Sequence, residues 1–175
     1  MIRLFLLALL ISTSSSSFAF VKIQAKDWGF NTFSTLSYAD NSVNRSSAQR
    51  NNKQLKQRIM REFAQWQGTH YRWGGDSRRG IDCSAFTRRI IASTIHKHLP
   101  RTAREQSHIG RQIHQNELNV GDLVFFETKP NVHHVGVYIG NDAFIHASSS
   151  EGVTLSHLSN RYWQSRYVTA RRVSV

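Results

Sequence analysis

The chain has 175 residues, 39% of them hydrophobic and 11% aromatic, with a single cysteine and a formal net charge of +12. That apolar fraction supports a packed core and excludes a fully disordered chain. The charge favours an anionic partner, without by itself separating a specific one from a merely basic surface.

Read from the N-terminus, Arg3, the apolar run from Leu4 to Ile11 and the small residues Ser17 and Ala19 form an export signal, with cleavage expected after Ala19. The run is much shorter than the ~20 residues a membrane span needs. No cysteine lies near the cleavage site, so the lipoprotein acceptor is missing. The mature chain is therefore expected to be periplasmic or secreted, soluble, and not a lipoprotein. Export makes nucleic acid an unsuitable polyanion, and anionic envelope polymers or membrane headgroups better ones.

Residues 20–48 are rich in Ser, Asn and Thr and read as a flexible tether, with the ordered domain at 49–175. Leu55, Ile59, Phe63 and Trp66 recur at helical spacing, and Gly68 ends that helix. A second helix is expected from Cys83 to Leu99, N-capped by Asp82 and stopped by Pro100. Thr102 to Glu105 reads as a capping box opening a short helix. Strands are then expected at Leu123–Phe126, Val135–Ile139, Ala143–Ala147, Val153–Ser156 and Tyr167–Val173. Helices followed by a run of antiparallel strands define an α+β domain.

A lone cysteine in an exported chain is an intermolecular disulfide, a buried inert thiol or a nucleophile. Cys83 opens its predicted helix, where the N-terminal dipole and free N–H groups favour a thiolate and a neighbouring oxyanion. Gly74, Gly75 and Gly80 upstream allow close backbone approach and suggest room for an extended substrate.

A cysteine nucleophile needs a base, and the base needs an orienting group. Of nine histidines, His134 and His146 lie on consecutive predicted strands. A three-residue turn at Gly140-Asn141-Asp142 sets Ile139 opposite Ala143 and makes the two histidines diagonal neighbours, ~7–8 Å apart. A two-residue turn would put them on opposite faces. Ordinary half-buried strand histidines are the competing reading. A metal site would need three or four ligands at a recognisable spacing, and none is seen; no metal or cofactor is expected.

The segments "HYRWGGDSRRGIDCSAF", "LPRTAREQ", "VGDLVFF", "HHVGVYIGNDAFIHASSSEGV" and "YWQSRYVTARRV" together resemble the NlpC-type family of bacterial cell-wall cysteine peptidases. The resemblance is collinear from Gln65 to Val173. It implies a papain-like α+β fold, with Cys83 as nucleophile, His134 as base and His146 as the third, polar member. It also implies that Tyr71 lines the site or supports the oxyanion, and that Asp82 and Ser84 contact the peptide stem. Their plainer readings are packing aromatic, helix cap and first-turn polar residue. The implied reaction is amide hydrolysis in peptidoglycan stem peptides or cross-links by a monomer. A wall-binding module without catalysis and a thiol amidase or acyltransferase on another substrate are the alternatives. Ala85 stands where the family commonly has Gly, and its methyl is expected to narrow the cleft.

Overall fold

From Leu123 onward the chain alternates between two apolar sets, and each set faces its own layer. In the computed structural model, which describes residues 33–173, six strands form one antiparallel sheet in the order β3-β8-β4-β5-β6-β7. They are β3 (Arg111–Ile113), β4 (Leu123–Lys129), β5 (Val132–Gly140), β6 (Ala143–Ser148), β7 (Gly152–His157) and β8 (Tyr167–Arg172). Leu123, Phe125, Val135, Val137, Ile145 and Ala147 face the larger core. There they meet Ile59 and Phe63 of α1 (Phe33–Trp66) and Phe86, Ile90 and Ile91 of α2 (Cys83–Ile95). Val124, Phe126, Phe144 and Ala170 cover the other face with Trp163 of the short helix α4 (Arg161–Gln164). The result is the α+β, papain-like arrangement expected, helices first and sheet after. The export signal falls outside the described residues, among which no helix is long and apolar enough to cross a membrane.

The first helix corrects the sequence reading. It begins at Phe33 rather than near Gln49, so residues 33–48, expected as an irregular tether, are helical. Nucleation is the costly step, and the amphipathic turns from Leu55 to Trp66 supply it. Ser and Asn then extend the helix at a modest propensity cost per residue. Among the described side chains of this helix, Leu55 packs against the core and Ile59 is the first that is fully buried.

The second helix starts at Cys83 as expected but ends at Ile95, not Leu99. His96 adopts a left-handed conformation (φ 59°) and turns the chain out of the helix before Pro100. Leu99 remains buried and anchors the exit. The capping box at Thr102 and Glu105 forms as expected and opens α3 (Ala103–Gln106).

The β5–β6 hairpin reaches the expected register by another route. Gly140 pairs with Ala143, so the turn has two residues, Asn141 and Asp142, both at positive φ. A shift between Tyr138 and Gly140 absorbs one residue as a bulge, and Val137 lies opposite Ile145. That is the pairing a three-residue turn would have given, because a bulge sets two residues against one.

A small hairpin, β1 (Asp76–Ser77) with β2 (Gly80–Ile81), has no periodicity to announce it. Arg88 and Arg89 of α2 both bond Asp76 at 2.6 Å and fasten it to the helix. Gly75 and Gly80 serve this hairpin rather than an open groove. A Cβ on Gly75 would collide with the Gly80 carbonyl, and one on Gly80 (φ 148°) would meet Arg72 Cβ at 2.6 Å.

Candidate active site

Cys83 is the first residue of α2, placed there by Asp82. The Asp82 carboxylate accepts the Ala85 N–H at 2.8 Å, an N-cap bond. It also accepts Ser84 Oγ at 2.9 Å, the Gly74 N–H at 3.1 Å, and Arg101 through Nη1 at 3.0 Å and Nη2 at 2.7 Å. Burial opposes its charge, but the bonds from Arg101, Ala85 and Ser84 outweigh that and hold its pKa below the usual carboxylate value. Arg101 bonds Ser84 Oγ as well, at 3.0 Å. The fully buried Gln106 donates to the carbonyls of Ser84 and Pro100, joining the first turn of α2 to the Arg101 segment.

The Cys83 thiol is 6% exposed and unpaired with any other cysteine. Burial pushes its pKa up to about 11, against a pull downward from the backbone of Val135, with Asp82 adding to the rise. The N–H groups of Ser84 and Cys83 lower it further but do not prevail. The helix-start N–H groups thus act in the expected direction, toward the thiolate, but desolvation outweighs them.

His134 and His146 meet on one face of the sheet, as the bulged register requires. His134 Nε2 lies 2.9 Å from His146 Nδ1, and His146 Nε2 lies 3.0 Å from Ser156 Oγ. Trp163 stacks on His134 at 5.2 Å and 27°, and presents its edge to His146 at 4.8 Å. Both rings are buried, which lowers the pKa of His134 to about 4 and that of His146 well below its ordinary value. Both are neutral imidazoles at pH 7. Cys83 reaches the backbone of Val135, the residue next to His134. Among the described residues no hydrogen bond joins Cys83 to His134 itself, whose Nδ1 is left without a partner; catalytic contacts are often long in unliganded sites.

Two cavities flank this junction and share Tyr71, Trp73 and His133. One, about 360 Å³, contains Cys83 with Asp82, Ser84 and Arg101. The other, about 560 Å³, contains His134, Ser156, Tyr162 and the serines 148–150. They are two compartments of one groove. Tyr71 stays protonated, its pKa pushed up to about 12 by burial first and by Cys83 and Asp82 next. Trp73 stands 76% exposed between the compartments. Ala85 lines neither and is fully buried, so its methyl faces the core and does not narrow the cleft. Among the described residues no three His, Cys, Asp or Glu side chains gather as a metal-ligand set.

Sequence reasoning missed Arg101, Gln106, Ser156 and Trp163. Arg101 and Gln106 flank and close the capping box, the one nearby signal. Ser156 and Trp163 carry none, because neither the β6–β7 register nor α4 is announced by periodicity.

A buried thiol at the start of a helix, set against histidines of an antiparallel sheet, is the layout of the papain-like α+β class. The chain belongs to the NlpC/P60 family, whose model matches residues 68–172. It is 44% identical over 122 residues to the murein DD-endopeptidase MepS/murein LD-carboxypeptidase of Escherichia coli K12, covering 70% of this chain and 65% of that protein. It is 47% identical over 131 residues to a probable endopeptidase, an NlpC homologue, of Haemophilus influenzae, covering 75% of this chain and 68% of that one. Among solved structures it resembles an NLP/P60 family protein of Staphylococcus aureus (TM-score 0.62, 34% identity, 70% of this chain and 42% of the other). It also resembles the peptidoglycan hydrolase RipB of Mycobacterium tuberculosis (TM-score 0.59, 26% identity, 71% and 67%). The chain spans just under two thirds of the MepS length.

Proposed function

We propose that this chain is a peptidoglycan endopeptidase that hydrolyses amide bonds in stem peptides or cross-links with Cys83 as nucleophile. The observation that carries the reading is the buried His134–His146 pair, 2.9 Å apart, beside a thiol that opens a helix. The names borne by its relatives support the substrate class. Residues 1–19 act as an export leader in this proposal, residues 20–48 as the link that follows, and 49–175 as the catalytic domain.

Because both partners rest neutral, the proton leaves sulfur as the bond to carbon forms. His134 Nδ1 takes it while Cys83 Sγ attacks the carbonyl, giving a tetrahedral oxyanion. The N–H of Cys83 and the protonated Tyr71 hydroxyl stabilise that charge. His134 returns the proton to the departing amine, which leaves a thioester on Cys83. Water, deprotonated by His134, then releases the acid and restores the thiol. His134 protonates the amine, so the leaving group occupies the compartment on the His134 side and the acyl group the one on the Cys83 side. There Ser84 and Arg101 offer polar contacts, while Asp82, with five hydrogen bonds already made, acts through them.

The test is digestion of purified sacculi with mass spectrometry of the products. Wild type should release peptides with new amine and carboxyl ends, and Cys83→Ala should lose at least about a thousandfold in rate. Cleavage surviving in that variant overturns the mechanism. Binding of murein by wild type without cleavage favours the wall-binding reading, and cleavage only of other amides the non-murein one.

A further inference from the structure

His146 has two ring nitrogens and both are committed, one to His134 and one to Ser156. Hydrogen bonds between such groups have a direction, set by which atom carries each proton. For His134 to accept a proton at Nδ1, its own proton must sit on Nε2 and be donated to His146 Nδ1. His146 then carries its proton on Nε2 and donates it to Ser156 Oγ. In the opposite direction Ser156 donates to His146, His146 donates to His134, and His134 Nδ1 is already protonated when the thiol needs it. The last group in the chain therefore decides whether the first can act as a base.

Ser156 is placed for this by β7. It pairs with Phe144 while His146 pairs with Thr154, so it is the diagonal neighbour of His146 on the same face. It also lines the larger compartment, with no other hydrogen bond among the described residues. Its hydroxyl proton is free to turn into the groove, toward an acceptor on the leaving-group side of a bound substrate.

We propose that Ser156 is a positioning residue that sets the tautomers of His146 and His134 by accepting the His146 Nε2 proton. A carbonyl or carboxylate of the substrate that takes the Ser156 hydroxyl proton locks that direction, so binding on the leaving-group side holds His134 in the competent tautomer that it already has at rest. This rests on the proposed role of His134 as base.

The first measurement needs no substrate. Nitrogen-15 imidazole spectra of the wild-type protein at pH 7 should show His146 protonated at Nε2 and His134 at Nε2. His146 protonated at Nδ1 overturns the proposal. The second is kinetic: Ser156→Ala should lower kcat about tenfold, the equivalent of one hydrogen bond, with KM within about twofold and a mixed His146 tautomer. Ser156→Thr, which keeps the hydroxyl and suits a strand, should restore both. Unchanged kcat in the alanine variant, or a loss that threonine does not restore, overturns it. If instead no variant and no wild type cleaves murein, the enzymatic reading fails while the tautomer measurement stands or falls by itself.

Discussion

On the Cys83 side of the groove, charge is densely hydrogen-bonded: Asp82 alone accepts five hydrogen bonds, two of them from Arg101. On the His134 side the floor is aromatic and the walls carry hydroxyls. There Trp163 holds the histidines by stacking, and Lys129 and Glu151 stand exposed at the rim. The difference teaches a division of labour. Charge fixes Cys83 and its helix, whereas desolvation keeps His134 neutral and packing keeps it in place.

Trp163→Ala should strain this contrast most. Removing a buried tryptophan costs about 3–5 kcal/mol, so thermal denaturation should show a large loss of stability, and kcat should fall because His134 loses the ring it stacks on. Acid comes next. The folded pKa of His134 is about 4, below the ~6.5 of an unfolded histidine, so the unfolded chain binds more protons between those values. Stability should be complete above pH 6.5 and fall as pH drops toward 4, by on the order of 3 kcal/mol from His134, with His146 acting in the same direction. Urea midpoints across that range give the check, and His134→Gln should flatten the dependence.

Arg101→Ala acts on the other compartment. It strips Asp82 of its charge partner, and since Arg101 is itself about one-third exposed the expected cost is about 2 kcal/mol, below that of a fully buried pair. Asp82 should recover an ordinary or raised pKa, which carbon-13 carboxyl titration reads. Trp73→Ala is the smallest change for stability, within about 0.5 kcal/mol, as for other exposed sites. Its effect should appear in KM on murein, through lost contact with substrate in both compartments. A rise in KM without a shift in melting temperature separates it from Trp163.

How far the sequence spoke depended on the range of each signal. Cys83, Asp82 and the Thr102–Glu105 box were legible because caps are local chemistry. His134 and His146 were legible through alternation, yet the turn between them was misread and the face was right only because a bulge at Ile139–Gly140 compensates. Arg101 escaped because its partners lie 17 and 19 residues upstream, a distance no local pattern spans. Ser156 and Trp163 escaped because a sheet register and a four-residue helix bring them to the histidines. The pull of the helix start on the Cys83 thiol was legible, while the desolvation that outweighs it was not.

The bulge has an evolutionary consequence. One residue in the Ile139–Asp142 segment is absorbed by it. Losing the bulged residue would leave a regular two-residue hairpin in the same phase, with Val137 still opposite Ile145. His134 and His146 would stay on one face of the sheet. The length of this turn can therefore change by one residue while the phase of the two strands, and with it the meeting of the histidines, is kept.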